Sequence, residues 1–341
     1  MAWTPAAGSP IADGQHTPAA RSGNAIGNQF TPATVRSQPT VAAPEWASGH
    51  VPLAPYNPEP LADIIDEIVN LHRRRQAVIR AKTKVILMMK AEVRSLLCRE
   101  SDFEEDKTTD RKTAYGKTPR KLTKAAQKRV DDAIKEALAE IAAGMPVGLV
   151  ASTIQSYVQS EEMFESQQDA YKKQLVKHAK RLPVYEWVKG VPGFGDVSFA
   201  TIVGECGDVG TYKSVSAVWK RLGLAVINGR RQGNPGEGAT AQVWIDHGYN
   251  RARRSVSYVA REHVIGGMGK WRPEYGSNLG DATYYQRVYA ERARYEAAKL
   301  GMPIERSDKG KESYKKHVAM RAHRYVEKRL LKHLYLEWRR A

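Results

Sequence analysis

Two glycines flank one apolar residue in the sequence VPGFG at residues 191–195, after a helix predicted to end near Lys189. Glycine adopts backbone angles that a side chain forbids, and a Gly-x-Gly turn that opens a helix leaves outward-pointing N–H groups where an anion can bind. On a basic chain that anion is a nucleic-acid phosphate. Gly193 and Gly195 therefore predict a helix-hairpin-helix that holds a DNA backbone without reading its bases. The alternative is a tight turn between packed helices with no ligand, because a lone Gly-x-Gly is a weak signal.

Arginines cluster in two later segments, a glycine-rich loop at residues 228–236 and a helix predicted at residues 249–264. Guanidinium groups bind phosphate oxygens in a bidentate geometry and contact any sequence alike. The arginines that we expect to line one basic, DNA-binding face are Arg230, Arg231, Arg251, Arg253 and Arg254.

Groups that could hold a metal or carry redox chemistry are sparse. Cys98 and Cys206 are the only cysteines, and two cysteines so far apart form neither a metal cluster nor a disulfide framework. They are typical of a reducing cytoplasm, which is the expected location. The histidines show no ligand spacing, and three are predicted to be polar positions on a basic terminal helix: His317, His323 and His333. We expect no metal and no cofactor, and we assign no catalytic residue.

The net charge of the chain indicates which class of partner it binds. A net charge of +17 over 341 residues suits a polyanion, either nucleic acid or an acidic membrane surface. No run approaches the length of a membrane span, and the N-terminus lacks a secretory signal pattern. DNA is therefore the expected partner, with structured RNA as an alternative.

The first 182 residues divide into two segments. Residues 1–60 are rich in Pro, Ala, Gly, Ser and Thr and predict a disordered leader, because they offer too little apolar surface to offset chain entropy. Residues 61–182 predict a helical stalk. Its three helices begin just after Pro60, near Leu122 and near Val147, and residues 99–121 form a charged loop.

The third stalk helix keeps close to a seven-residue apolar period that includes Ile154 and Leu175. Sustained heptads are typical of coiled coils. A two-arm antiparallel hairpin has little core of its own, so we favour a dimerising stalk, and hence a homo-oligomer, over an isolated helical bundle.

Residues 183–341 predict a second helical domain, with shorter helices and frequent glycines, so the fold class is mainly α. Helices are predicted at 216–222, 249–264, 284–300 and 311–339. Residues 240–245 are predicted to form a short strand or an extended segment.

Five short motifs occur in the same order as in a known family. They are VPGFG at 191–195, IVGECGDV at 202–209, YKS at 212–214 with LGLA at 222–225, HGYNRARR at 247–254, and a basic helix at 325–338. In these motifs, residues 183–341 resemble the C-terminal domain of the DEDD-type insertion-sequence transposases (the IS-one-ten / IS-one-sixteen family, which includes Piv-like invertases). The resemblance implies DNA binding, transposition and recombination. That family also places a coiled coil before this domain, as residues 61–182 do.

The chain departs from that family at both of its catalytic parts. The resemblance implies an RNase-H-like N-terminal half with four acidic metal ligands, but the predicted leader occupies that place. Glu104, Glu105 and Asp106 are interpreted as a surface charge run, since a two-metal site needs carboxylates from separate elements. The family's nucleophilic serine follows its Leu-Gly-Leu-Ala motif, and here Gln232 stands in its place. An amide cannot attack a phosphodiester as a hydroxyl does.

These residues favour a transposase-like DNA-binding protein that has lost strand transfer, and whether it is an enzyme stays open. One alternative is an active recombinase that uses Ser255 or Ser257 as a displaced nucleophile, or an N-terminal half supplied in trans. Another is a basic helical scaffold that binds no nucleic acid.

Overall fold

The computed structural model describes residues 57, 59–104, 112–113, 116–117, 121–227, 229–233, 235–236 and 239–341. The described chain is mainly helical, which confirms the predicted fold class. Almost all of the predicted leader at residues 1–60 lies outside the described residues, as do Glu105 and Asp106.

Three long helices follow residue 61. They are α1 (Ala62–Leu97), α2 (Lys124–Ala142) and α3 (Leu149–Ala179), with a two-residue antiparallel pair, β1 (Lys112–Thr113) and β2 (Gly116–Lys117), between the first two. The hydroxyl of Thr123 caps α2 by accepting a hydrogen bond from the Ala126 N–H, which satisfies one donor of the open first turn.

Helices α1 and α3 run antiparallel. Ile68 near the start of α1 shares a core with Leu175 near the end of α3, whereas Val93 near the end of α1 shares another with Ile154 near the start of α3. Between these two cores, Lys82 of α1 forms ion pairs with Glu161 and Glu165 of α3. Ile154 and Leu175, predicted to form a seam between subunits, are fully buried within this chain. The heptad pattern therefore reflects packing against α1, and self-association stays a prediction.

The C-terminal region is built from short helices and two small hairpins. In chain order its elements are α4 (Tyr185–Lys189), α5 (Asp196–Cys206), α6 (Val215–Arg221), β3 (Val226–Ile227), β4 (Arg230–Arg231), α7 (Ala241–His247), α8 (Arg251–Ile265), α9 (Tyr284–Lys299), β5 (Glu305–Arg306), β6 (Glu312–Ser313) and α10 (Lys316–Trp338). Strands β3 and β4 pair antiparallel, as do β5 and β6. The core of this region is continuous with the packing between the start of α1 and the end of α3, since Ile65 of α1 and Trp338 of α10 belong to one apolar cluster.

Two boundaries differ from the sequence prediction. Residues 240–245 were predicted to be extended because Val243, Trp244 and Ile245 favour strands, but α7 occupies them. Its helical form follows from the caps, because Thr240 accepts a hydrogen bond from the Val243 N–H and Gly248 ends the helix in the left-handed region. The last helix begins at Lys316 and not at Lys311, because β6 occupies the intervening residues.

Two histidines of α10 are also placed differently from the prediction. His317 is exposed, as expected of a polar position, but His323 and His333 are buried. Burial lowers the pKa of both to about 3, so both are neutral near pH 7. The helix buries a wider face than a surface helix would, because it contacts α6, α8 and α9 together.

No helix in the described part of the chain is long and apolar enough to cross a membrane.

Candidate nucleic-acid interface

The turn at residues 190–195 joins α4 to α5, and its two glycines have different surroundings. Gly193 has φ of 80°, and a Cβ placed on it would lie 2.3 Å from the carbonyl oxygen of His263 in α8. Gly195 has nothing within 4 Å of its Cβ position and serves as the N-cap of α5. Gly193 is therefore required for close packing against α8, and only Gly195 faces open space.

The N-terminus of α5, where a phosphate was predicted to bind, already has a carboxylate beside it. Asp196, the first residue of α5, forms an ion pair with Lys180 at 2.9 Å and accepts a hydrogen bond from the Tyr185 hydroxyl at 2.8 Å. The hydrogen bond from Lys180 and that from Tyr185 hold the pKa of Asp196 below its usual value. A negative charge at this end of the helix disfavours a second anion there. Phosphate binding by Gly193 and Gly195 stays a prediction.

Gln232, at the position of the family's serine, is buried and fully engaged. Its side-chain oxygen accepts a hydrogen bond from the Ala225 N–H at 3.2 Å, and its amide nitrogen donates to the carbonyls of Lys220, His247 and Gly248. These contacts fasten the β3–β4 hairpin to the ends of α6 and α7. The residue holds the loop in place and presents no reactive group to solvent.

The β3–β4 hairpin presents Arg230 and Arg231 to solvent. Arg231 lies close enough to Arg324 of α10 for the two charges to repel, and Arg254 repels Arg324 more strongly. Burial and these neighbours lower the pKa of Arg324 to about 10. Its Nη2 is buried without a hydrogen-bond partner among the described residues. The site therefore has positive charge that no carboxylate fully balances.

Lys328 extends this region one turn further along α10. Its ammonium lies 4.7 Å from the centre of the Trp219 ring, and burial together with the charge of Arg324 lowers its pKa. We call Arg230, Arg231, Arg324 and Lys328 the basic patch.

The three arginines in the first turn of α8 do not join that patch as one free surface. Arg251 is exposed. Arg253 lies 3.4 Å from Glu205 of α5. Arg254 binds Glu327 of α10 through both guanidinium nitrogens, one of them at 2.9 Å, and Glu327 is fully buried. The expectation that all five arginines line one face is therefore corrected at Arg254, whose charge is neutralised inside the fold.

The serines that were considered as displaced nucleophiles are both engaged. Ser257 is buried and donates its hydroxyl to Glu327 at 2.6 Å. Ser255 is exposed but donates to the carbonyl of Ala252 at 2.6 Å within its own helix. An activated serine needs a base that accepts its proton. A backbone carbonyl cannot serve as one, and the Glu327 carboxylate is enclosed in the fold.

Helix α7 is a surface feature that the sequence prediction missed. Val243, Trp244 and Ile245 are all exposed, and the C-terminal end of the helix contacts Gln232 and so lies beside the β3–β4 hairpin. An exposed aromatic ring near arginines offers a stacking surface for bases. The sequence did contain two signals for this helix: Thr240, a capping residue, and Gly248, a glycine eight positions later.

Metal-ligating side chains and the thiol of Cys206 were the remaining groups that could carry chemistry. Within the described ranges, no three His, Cys, Asp or Glu side chains come together in a group that could hold a metal ion. Cys206 is buried, and burial raises the pKa of its thiol to about 12, so it is not a reactive thiolate near neutral pH.

Compared with known proteins, the chain matches no family model, no curated protein and no solved structure. The transposase resemblance therefore stays a prediction from the quoted motifs.

Proposed function

We propose that this chain binds nucleic acid through the basic patch, with duplex DNA as the first partner. The observation that carries the proposal is Arg324, which is half-buried beside Arg231 and the Arg254–Glu327 pair and whose Nη2 has no partner among the described residues. Burial and the two arginines lower its pKa to about 10 although Glu327 opposes them. Concentrating like charge in this way is unfavourable in the free protein, and a bound phosphate would relieve it.

The overall charge and the sequence motifs support the same partner. The net charge of +17 favours association with a polyanion. The motifs at residues 191–254 resemble those of DNA transposases. Contacts from guanidinium and ammonium groups to phosphates are independent of base sequence, so the patch positions the nucleic acid without selecting a sequence.

We propose further that the chain does not itself transfer strands through the loop at residues 226–233. Gln232 stands where the resemblance implies a nucleophilic serine. Its side chain is buried, and its amide forms hydrogen bonds with the backbone of Ala225, Lys220 and His247. Phosphodiester attack needs an activated oxygen nucleophile. The proposal is therefore a transposase-like protein that retains DNA binding.

Electrophoretic shift assays on duplex DNA and on structured RNA test the binding proposal. The double variant Arg231→Ala, Arg324→Gln removes two charges from the patch and should weaken binding by roughly tenfold or more, since each lost phosphate contact costs about 1 kcal/mol or more. Arg306→Ala is the matched control, because Arg306 is an exposed arginine on the two-residue strand β5 of another hairpin. Equal affinity in the double variant and wild type would refute the role of the patch.

A covalent-adduct assay tests the absence of strand transfer. Labelled duplex is incubated with the chain and magnesium, then denatured and resolved for protein-linked DNA. We expect no adduct, and Gln232→Ser should not create one. A covalent band that vanishes in Ser255→Ala would instead show an active recombinase with a displaced nucleophile.

If neither DNA nor RNA binds in shift assays repeated over a range of salt concentrations, the basic helical scaffold becomes the better explanation. In that case the exposed apolar side chains of α7, Val243 and Ile245, are the surface to examine for a protein partner.

A further inference from the structure

A second basic site lies on the other side of α8 from the basic patch. A half-open cavity of about 480 Å³ lies between α1, the C-terminal end of α5, the end of α6 and the N-terminus of α8. Its charged and titratable lining residues are His72, Arg73, Arg80, Glu205, Cys206, Arg221 and Arg253. The volume lies within the range of small-molecule binding sites.

The charge of this cavity is strongly unbalanced. Four guanidinium groups line it, against the single carboxylate of Glu205. Glu205 contacts His72 Nε2 at 3.1 Å and Arg253 Nε at 3.4 Å, and these contacts, the one to His72 foremost, lower its pKa. Arg221 donates two hydrogen bonds to the backbone carbonyl of Glu205, which fixes the guanidinium at the wall of the cavity.

Two of the four arginines have no anionic partner among the residues that the structure describes. Arg73 and Arg80 lie on the face of α1 that lines the cavity, and neither forms an ion pair with any residue that the structure describes. They are two helical turns apart, so their Cα atoms are separated by about 10 Å along α1. Their long side chains can therefore reach the two ends of one extended anion.

A buried donor or acceptor also remains without a partner at this cavity. His72 is buried at its wall, and its Nδ1 has no hydrogen-bond partner in the described part of the protein. Gly204 brings α5 close to this ring, since a Cβ at Gly204 would lie 2.5 Å from His72 Cβ. A buried polar atom without a partner is costly unless a ligand or water completes it.

The N-terminus of α8 closes the cavity. Asn250 and Ala252 line it, and Asn250 caps the helix by accepting a hydrogen bond from the Arg253 N–H at 3.1 Å. The fifteen-residue helix directs the positive end of its dipole to this point. The positive end of this dipole and four arginines therefore lie at one half-open cavity.

We infer that this cavity binds a small molecule that carries two or more phosphate groups. Arginine forks match phosphate oxygens in a bidentate geometry, and the excess of positive charge suits a ligand with several negative charges. The positive end of the α8 dipole adds to this attraction.

Isothermal titration of the full chain with inorganic pyrophosphate tests this inference. We expect saturable binding in the wild type, weakened roughly tenfold by Arg73→Ala and by Arg80→Ala, as expected for the loss of one charge-assisted contact. Arg74→Ala is the matched control, because Arg74 is the exposed neighbour on α1 and does not line the cavity. Absence of saturable heat up to millimolar pyrophosphate would overturn the inference, and so would an equal loss in Arg74→Ala.

A competition experiment, in which duplex DNA is added to the pyrophosphate titration, shows whether the cavity binds a small ligand or a nucleic-acid backbone. Its outcome does not depend on the proposed function. Duplex DNA should leave pyrophosphate binding unchanged, and Arg231→Ala should not alter it. If DNA displaces pyrophosphate and Arg73→Ala weakens DNA binding equally, the cavity is part of the DNA surface and the inference of a small ligand is wrong. If DNA does not bind at all, pyrophosphate binding still supports the cavity as a separate site.

Discussion

Arg253 and Arg254 are neighbours in the first turn of α8, and their surroundings differ completely. Arg254 lies against α10, where the fully buried Glu327 neutralises it and also accepts a hydrogen bond from Ser257. Arg253 lies on a different face of the helix, beside a cavity that three other arginines also line, and there it contacts the carboxylate of Glu205 at 3.4 Å. The side chains of successive helix residues point about 100° apart. Of two adjacent arginines, one can therefore pack in the core while the other lines a binding site.

The comparison teaches that charge in this protein has two separate uses. On the α10 side of α8, arginine is part of a closed internal contact that stabilises helix packing. On the α1 side, and at the hairpin of β3 and β4, positive charge is left in excess and is available to a ligand. A count of arginines in the sequence cannot separate these uses, because the partners of Arg254 lie about seventy residues away.

The largest expected effect concerns the closed side. Glu327→Ala leaves Arg254 and Ser257 without their buried partner and should reduce the free energy of unfolding by about 3–5 kcal/mol. Glu205→Ala, on the open side, should cost less, about 1–2 kcal/mol, since its partner Arg253 is partly solvated although its partner His72 is buried. Urea denaturation of both variants measures the difference.

Glu337→Ala is the control on the same helix, because Glu337 forms a partly solvated ion pair with Arg340 near the end of the helix. It should cost no more than about 1 kcal/mol. Equal losses for Glu327 and Glu205 would show that the two sides of α8 do not differ as described.

The next effect concerns the far end of α8. Gly193→Ala places a side chain in a left-handed conformation and against the carbonyl of His263, so it should cost at least about 2 kcal/mol of unfolding free energy. Gly195→Ser should cost almost nothing, because its Cβ position is open and serine is a good N-cap. Thermal unfolding of the pair measures this. Comparable destabilisation by both would mean that the turn is not packed on α8 as the structure shows.

A smaller effect is expected at the segment that leads into α8. Gln232→Ala removes the hydrogen bonds that join the β3–β4 hairpin to His247 and Gly248. We expect a loss of about 1–3 kcal/mol in chemical denaturation, since several buried backbone groups lose their partner. Gln242→Ala is the control, because that exposed side chain bonds only Asp246 within α7. A Gln232 variant as stable as this control would mean that the residue is not structural.

The effect that is smallest near pH 7 is expected at His323, because it changes the pH dependence of stability and develops only on acidification. Burial first, then the charges of Arg261 and Arg272, lowers the pKa of His323 to about 3, against about 6.5 in the unfolded chain. The unfolded state therefore binds a proton that the folded state does not, and stability falls as pH decreases from about 6.5 towards 3. His323→Gln should reduce this slope by about 1.4 kcal/mol per pH unit. His317→Gln, on the exposed face, should leave the slope unchanged, and an unchanged slope in the His323 variant would contradict its burial.

The helices were largely predictable from the sequence, because apolar residues recur at three- and four-residue steps over long segments. The predicted start near Pro60 and end near Lys189 both match the structure. The exceptions have physical reasons. Val243, Trp244 and Ile245 favour a strand locally, but the caps at Thr240 and Gly248 determine the structure.

The candidate sites were less predictable. Arg230, Arg231 and Arg251 are exposed as expected, but the basic patch also needs Arg324 and Lys328, which periodicity alone placed on an ordinary polar face. The cavity joins Arg73 of α1 to Arg253 of α8, far apart in sequence. Only tertiary packing brings these groups together, so spacing along the chain gave no signal for them.

The salt dependence of DNA binding tests the central claim most directly. The affinity of the full chain for a duplex is measured over a potassium chloride series, for wild type, for the double variant Arg231→Ala, Arg324→Gln, and for the control Arg306→Ala. If these side chains contact phosphates, the double variant should reduce the slope of log affinity against log salt by about two units, and the control should leave it unchanged. A slope that is the same in all three proteins would contradict the assignment of the basic patch as the nucleic-acid surface.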